Sequence, residues 1–251
     1  MRLIPLISAA LVFCMSGPAF AQEWIEYVNR EDGFDINFPG EPTVTETTWK
    51  SEYGYELPAR VYSAERNRER YSMTVVDYNG IEQQGTERSE KCPPGAETCQ
   101  GQTAGDLVKV IGPSYSMQDI RGALLYATFQ LTQRDAKITS LIWNFTDLVE
   151  GHLVQLTNNA DQSRTFVAIH MHENKLYVAE GTVPEGQPGP ALFQQSLGWV
   201  DKDGNGIRYR TVYSNEFHGL GIYEPPPIRR GGGGGAACGV SAGCAPAGGV
   251  R

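Results

Sequence analysis

The spacing of the apolar residues constrains this chain most: they recur at every second position in run after run, and at helical intervals in only one long stretch. Strand side chains alternate between two faces, whereas a helix returns to the same face about every 3.6 residues, so the two patterns separate the element types. Trp24 to Val28 reads as a short strand, Asp32-Gly33 as a hairpin turn, and Phe34-Asp35-Ile36-Asn37-Phe38 as a strand with one buried face. Pro39-Gly40-Glu41-Pro42 stops it, and Thr43 to Lys50, Ala59 to Ala64 and Tyr71 to Tyr78 continue as successive antiparallel strands. Four more strands are expected at Lys137 to Phe145, Gly151 to Thr157, Thr165 to Met171 and Lys175 to Gly181, with turns at Asn158 to Gln162 and His172-Glu173-Asn174.

The period changes at Ser116. Ile120, Leu124, Ala127 and Leu131 form a helical stripe from about Met117 to Gln133, with Ser116 as N-cap and Asp119 near the positive end of the dipole. A second helix is expected from Pro190 to Leu197, ended by Gly198. Strand runs with few helices, and no βαβ alternation, predict an α+β fold: an antiparallel β-sheet with two main helices packed on it.

The first twenty-one residues read as a cleavable secretory signal. Arg2 is followed by the apolar run Leu3 to Met15 and the small-residue end Ala19-Phe20-Ala21, too short and too interrupted for a spanning helix. Cys14 follows the bulky Phe13, where lipid attachment wants a small residue, so cleavage after Ala21 is favoured and no membrane span is expected afterwards. The mature product is read as periplasmic or secreted, with one α+β domain over residues 22–216 and a flexible Pro/Gly-rich tail over 217–251. The 29 acidic against 21 basic residues disfavour nucleic acid and anionic membrane surfaces as partners.

Four cysteines outlast the signal. Cys92 and Cys99 bracket a Pro-Pro-Gly turn in a polar, Gly-rich excursion at about 80–105, and Cys238 and Cys244 lie in the tail. An even count in an oxidising compartment predicts disulfides, with Cys92 to Cys99 favoured among three connectivities. Their spacings are wider than those of zinc knuckles.

Trp24, the run Glu31 to Pro42 (EDGFDINFPGEP), and the block Phe166 to Pro184 leading into Leu192 to Val200 (LFQQSLGWV) resemble exported bacterial proteins of the PsbP-like α/β/α sandwich type. The resemblance spans about residues 23–213. It implies a sandwich fold and a binding or assembly role without a shared catalytic constellation; the cysteine-bearing insertion and the glycine tail depart from the pattern.

Three motifs invite a site reading. Asp201, Asp203, Asn205 and Gly206 match the first half of a calcium loop, but position 12 holds Val212 and the following residues read as a strand, which favours a polar turn. His170 and His172 fall on one face of a strand beside Glu173, with His152 the obvious third ligand for a metal; a solvated strand end is the simpler expectation. Asn144-Phe145-Thr146 is a sequon, with Phe145 expected to pack. There is no His-Glu-x-x-His pair and no glycine-rich phosphate loop after a strand. The sequence therefore points to an exported, non-catalytic binding or accessory module, with no cofactor, whose partner is an envelope protein or small ligand. The competing class is an envelope enzyme or metal-binding protein using His170 and His172 or unidentified carboxylates.

Overall fold

A computed structural model describes residues 24–91, 116–213, 215 and 228–229. Residues 1–23, where the signal is expected, Cys92, Cys99, Cys238 and Cys244, and all of the expected tail but residues 228–229 lie outside the described residues. The strands are β1 (Ile25–Asn29), β2 (Phe34–Phe38), β3 (Thr43–Lys50), β4 (Glu56–Arg66), β5 (Glu69–Asp77), β6 (Ala136–Thr146), β7 (Val149–Asn158), β8 (Arg164–His172), β9 (Lys175–Val183), β10 (Gly198–Val200), β11 (Gly206–Arg208) and β12 (Ile228–Arg229). The helices are α1 (Ile81–Glu90), α2 (Ser116–Thr132) and α3 (Ala191–Gln194). The fold is α+β, with antiparallel strands throughout both sheets.

Seven strands form the large sheet in the order β3-β4-β5-β9-β8-β7-β6, and five form the small sheet in the order β1-β2-β10-β11-β12. Tight hairpins set the register of the large sheet. Asn67-Arg68, Asp147-Leu148 and Glu173-Asn174 are two-residue turns with positive φ at both positions, the geometry whose twist matches paired strands.

Alternation along the central strands divides the core in two. Tyr71, Met73 and Val75 of β5 and Tyr177 and Ala179 of β9 face the small sheet, where they meet Phe34, Ile36, Phe38 and Trp199. Val76 of β5, Val167, Ile169 and Met171 of β8 and Leu176 of β9 face the other way, onto Ile120, Ala123, Ala127 and Leu131 of α2. The large sheet is thus the middle layer, and its near-continuous apolar β8 reads as a strand buried on both faces.

A polar knot ties the first hairpin to the large sheet. Asp32, 2% exposed, accepts from Arg60 Nε at 2.9 Å and from the Tyr62 hydroxyl, while its own carbonyl accepts from the Tyr177 hydroxyl. Burial and the carboxylate beside it hold the Tyr62 phenol far above its ordinary range.

The structure departs from the sequence reading in three places. The polar stretch after Gly80 opens with α1, which is held by Ile81 in the core and by Arg88, whose guanidinium donates to the carbonyls of Tyr53 and Gly54 and lies 3.9 Å from the Tyr55 ring centroid. The expected helix over Pro190 to Leu197 is one turn. Ser196 Oγ instead accepts from the Asn37 amide of β2 at 2.8 Å, and the chain passes directly into β10. In β2 Asp35, on the face opposite Phe34, Ile36 and Phe38, is buried as well, so the strand is not polar on its second face as the alternation implied.

Candidate functional site

Helix α2 lies over β7, β8 and β9, and beside its C-terminal half the same face of the large sheet is open. A groove of about 380 Å³ results, a size within the range of small-ligand sites. Its floor is Ser72 and Thr74 of β5 with Val178 and Glu180 of β9; α2 supplies one wall through Ala127, Gln130 and Leu131, continued by Arg134 just past its C-terminus, and Trp49 and Lys50 of β3 supply the other. Alternation explains the floor: Ser72 pairs with Glu180 and Thr74 with Val178, so all four side chains project from one face. Arg134 Nη2 reaches Glu180 Oε2 at 2.8 Å and ties the segment just after α2 to the sheet. The half-buried Trp49 packs against the α2 core and presents the rest of its ring to the groove. Beyond Ser72 and Glu180 the groove runs into a wider polar hollow of about 600 Å³ that includes Glu41, Arg70 and Thr182.

An indole, Leu131 and Val178 offer an apolar surface, Ser72, Thr74 and Gln130 offer hydrogen-bond donors and acceptors, and Lys50, Arg134 and Glu180 offer charge. Among the described residues the groove lining contains no His or Cys. Above the groove, Asp119 in the first turn of α2 is fully buried and accepts from the Ser51 hydroxyl and, at 3.3 Å, from the Tyr53 amide. Burial raises the pKa of this carboxyl, and the bond from Ser51 opposes the shift.

His170 and His172 do share a face, but as core residues at 0% and 1% exposure rather than as a solvated strand end. The correction follows from the small sheet, which covers that face: Trp199 of β10 stacks 4.7 Å from the His172 ring. His170 Nδ1 donates to the Glu150 carbonyl at 3.1 Å, which leaves Nε2 to accept from the Thr146 hydroxyl at 3.1 Å. Desolvation lowers the His170 pKa to about 4, so the ring is neutral at pH 7. His172 Nε2 is 2.7 Å from the Tyr209 hydroxyl. His152 lies on the opposite face of the sheet: β7 is beside β8, but Gly151 is the residue opposite His170, and His152 Nδ1 bonds Thr128 of α2 at 2.8 Å. Gly151 is required there, because a Cβ would stand 2.2 Å from the His170 ring.

Asp201, Asp203 and Asn205 form the turn between β10 and β11. Asp201 Oδ1 accepts from the amides of Asp203 and Asn205, each at 2.9 Å, and Gly204 takes a φ of +85°. Among the described residues no three His, Cys, Asp or Glu side chains converge as a metal site. Phe145 is 42% exposed and does not pack as the sequon reading expects. Gly239-Val240-Ser241-Ala242-Gly243 has the spacing of a nucleophile elbow; it lies outside the described residues, and five glycines stand where such an elbow needs a strand.

The groove escapes a reading by motif because its residues come from four elements far apart in the chain. One signal was present in the sequence: Trp49 stands in a Thr-rich strand with no other aromatic residue.

No protein-family model matches the chain, and no curated protein matches it in sequence. Among solved structures, the solution structure of cyanobacterial PsbP (CyanoP) from Synechocystis sp. PCC 6803 is similar over 73% of this chain and 96% of that one, with 12% identity and a TM-score of 0.38. The likeness is distant, and the chemistry of the groove is that of its own residues. No described helix is long and apolar enough to cross a membrane.

Proposed function

We propose that this chain is an exported, non-catalytic binding module of the cell envelope that holds an amphipathic group of its partner in the groove between α2 and the β3–β5–β9 face. The observation that carries the reading is the groove itself, where half-buried Trp49 faces Leu131 and Val178 across a floor bearing Ser72, Thr74 and Glu180. A concave, mixed surface of this kind orients a ligand through a few polar groups while the apolar part supplies affinity. Export rests on the leader-like first twenty-one residues, and the non-catalytic reading is supported by a described groove lining without His or Cys.

The test replaces groove residues outside the fully buried core. Gln130 is exposed on the wall, and Gln130→Trp fills the groove while leaving the apolar stripe of α2 intact. The full exported protein, tagged and returned to its own envelope, should lose retention by the envelope fraction about tenfold with Gln130→Trp or Trp49→Ala, the equivalent of about 1.4 kcal/mol of binding. Retention equal to wild type in both variants, with melting temperatures unchanged, would overturn the groove as the binding site.

A further inference from the structure

The groove beside α2 does not end at Ser72 and Glu180. Both residues also line the polar hollow of about 600 Å³ beyond it, so groove and hollow form one open trough on the α2 face of the large sheet. It follows β3 from Trp49 to Thr43, about 20 Å at the rise of a strand. A row of polar side chains crosses it. Thr43 of β3 is opposite Ser63 of β4, Ser63 is opposite Ser72 of β5, and Ser72 is opposite Glu180 of β9. Directly opposed residues share a face, so all four project into the trough. Its charges cancel: the carboxylates Glu41, Glu65 and Glu180 stand against Lys50, Arg70 and Arg134, which leaves no field of one sign to select an ion. The floor offers side chains only, because β4, β5 and β9 each pair on both sides and their main-chain groups are engaged within the sheet. That argues against an extended peptide, which binds through the free main-chain groups of a sheet edge.

We propose that the trough takes a neutral saccharide chain, with one sugar against the Trp49 indole and the next units over the row from Thr43 to Glu180. The inference rests on the groove reading above and names the chemistry of the amphipathic group that the groove holds. A sugar ring has a face of C–H groups, which packs against an aromatic ring, and a rim of hydroxyls, each both donor and acceptor. Those two surfaces match the two parts of the trough. Trp49, backed by Leu131 and Val178, supplies the apolar platform, and the hydroxyls, carboxylates and Gln130 amide supply partners of both kinds for the rim. An uncharged ligand also suits a lining whose charges sum to zero.

Calorimetric titration of the full exported protein with maltotetraose, cellotetraose and chitotetraose tests this, with tetragalacturonate and a serine tetrapeptide as the charged and peptide comparisons. At least one neutral tetrasaccharide should bind with a Kd below about 1 mM. Its affinity should be the same at about 50 and about 500 mM salt, since no net charge is engaged. Trp49→Ala should weaken it at least about tenfold, and Trp49→Tyr, which keeps an aromatic ring, should restore most of the loss. Ser63 lies outside both core clusters, so Ser63→Leu, which removes one hydroxyl of the row, keeps the test open should Trp49→Ala fail to fold. It should also weaken binding about tenfold. Loss of envelope retention in Gln130→Trp with no neutral tetrasaccharide bound would keep the groove and overturn the saccharide. Tighter binding of tetragalacturonate or the tetrapeptide, or tetrasaccharide binding that neither Trp49→Ala nor Ser63→Leu weakens, would overturn it as well.

Discussion

At the scale of single residues, His170 couples folding to pH through its surroundings. The unfolded chain takes up a proton near the ordinary imidazole pKa of about 6.5, whereas the buried ring, enclosed by Trp199 and already engaged at both nitrogens, resists protonation until about pH 4. Between these values the unfolded state binds more protons, so stability is fully present above about pH 6.5 and declines as the pH falls toward 4. The difference corresponds to about 3 kcal/mol, and His152, also lowered by burial, adds in the same direction. Asp119 works in the opposite sense, because its raised pKa makes the native carboxyl easier to protonate. Urea unfolding between pH 4 and 7 should therefore show a steeper loss in wild type than in His170→Gln, whose amide can keep both hydrogen bonds without titrating. Identical slopes in the two proteins would contradict a buried neutral imidazole.

At the scale of elements, the opening hairpin shows how the pattern becomes stability. Phe38 is 0% exposed, and its ring lies 5.2 Å from that of Phe193 and 5.9 Å from that of Tyr27, so it joins β2 to both α3 and β1. Phe38→Ala should cost about 3 to 5 kcal/mol in denaturant unfolding; a loss below about 1 kcal/mol, the scale of surface changes, would show that the hairpin is not part of the core. This strand, β1 and α2 were legible because their apolar spacing is local and regular. Helix α1 was not, since Ile81 and Gly85 are its buried positions and a distant guanidinium contact at Tyr55 does the anchoring. The shortness of α3 was equally hidden, because the bond that turns the chain away comes from Asn37, far back in the sequence. The histidines were placed on the right face and in the wrong environment: period two gives the side of a strand, but only the small sheet determines whether that side is wet. The groove was least legible of all, since a site assembled from β3, β5, β9 and α2 has no linear spacing.

At the scale of the whole molecule, three layers of unequal width produce the functional surface. The small sheet and α2 bury opposite faces of the large sheet, and α2 covers only part of its face, which leaves an indole, two hydroxyls and a charge pair lining a hollow. The central claim is that this hollow is occupied when the protein meets its envelope partner. Hydroxyl-radical footprinting of the full exported protein, alone and mixed with its solubilised envelope fraction, measures that occupancy at side-chain resolution. Oxidation of half-buried Trp49 should fall several-fold on mixing, while exposed Leu192 on α3, which packs on the small-sheet side, stays as reactive as before. Unchanged oxidation of Trp49, or protection at Leu192 in its place, would contradict the account.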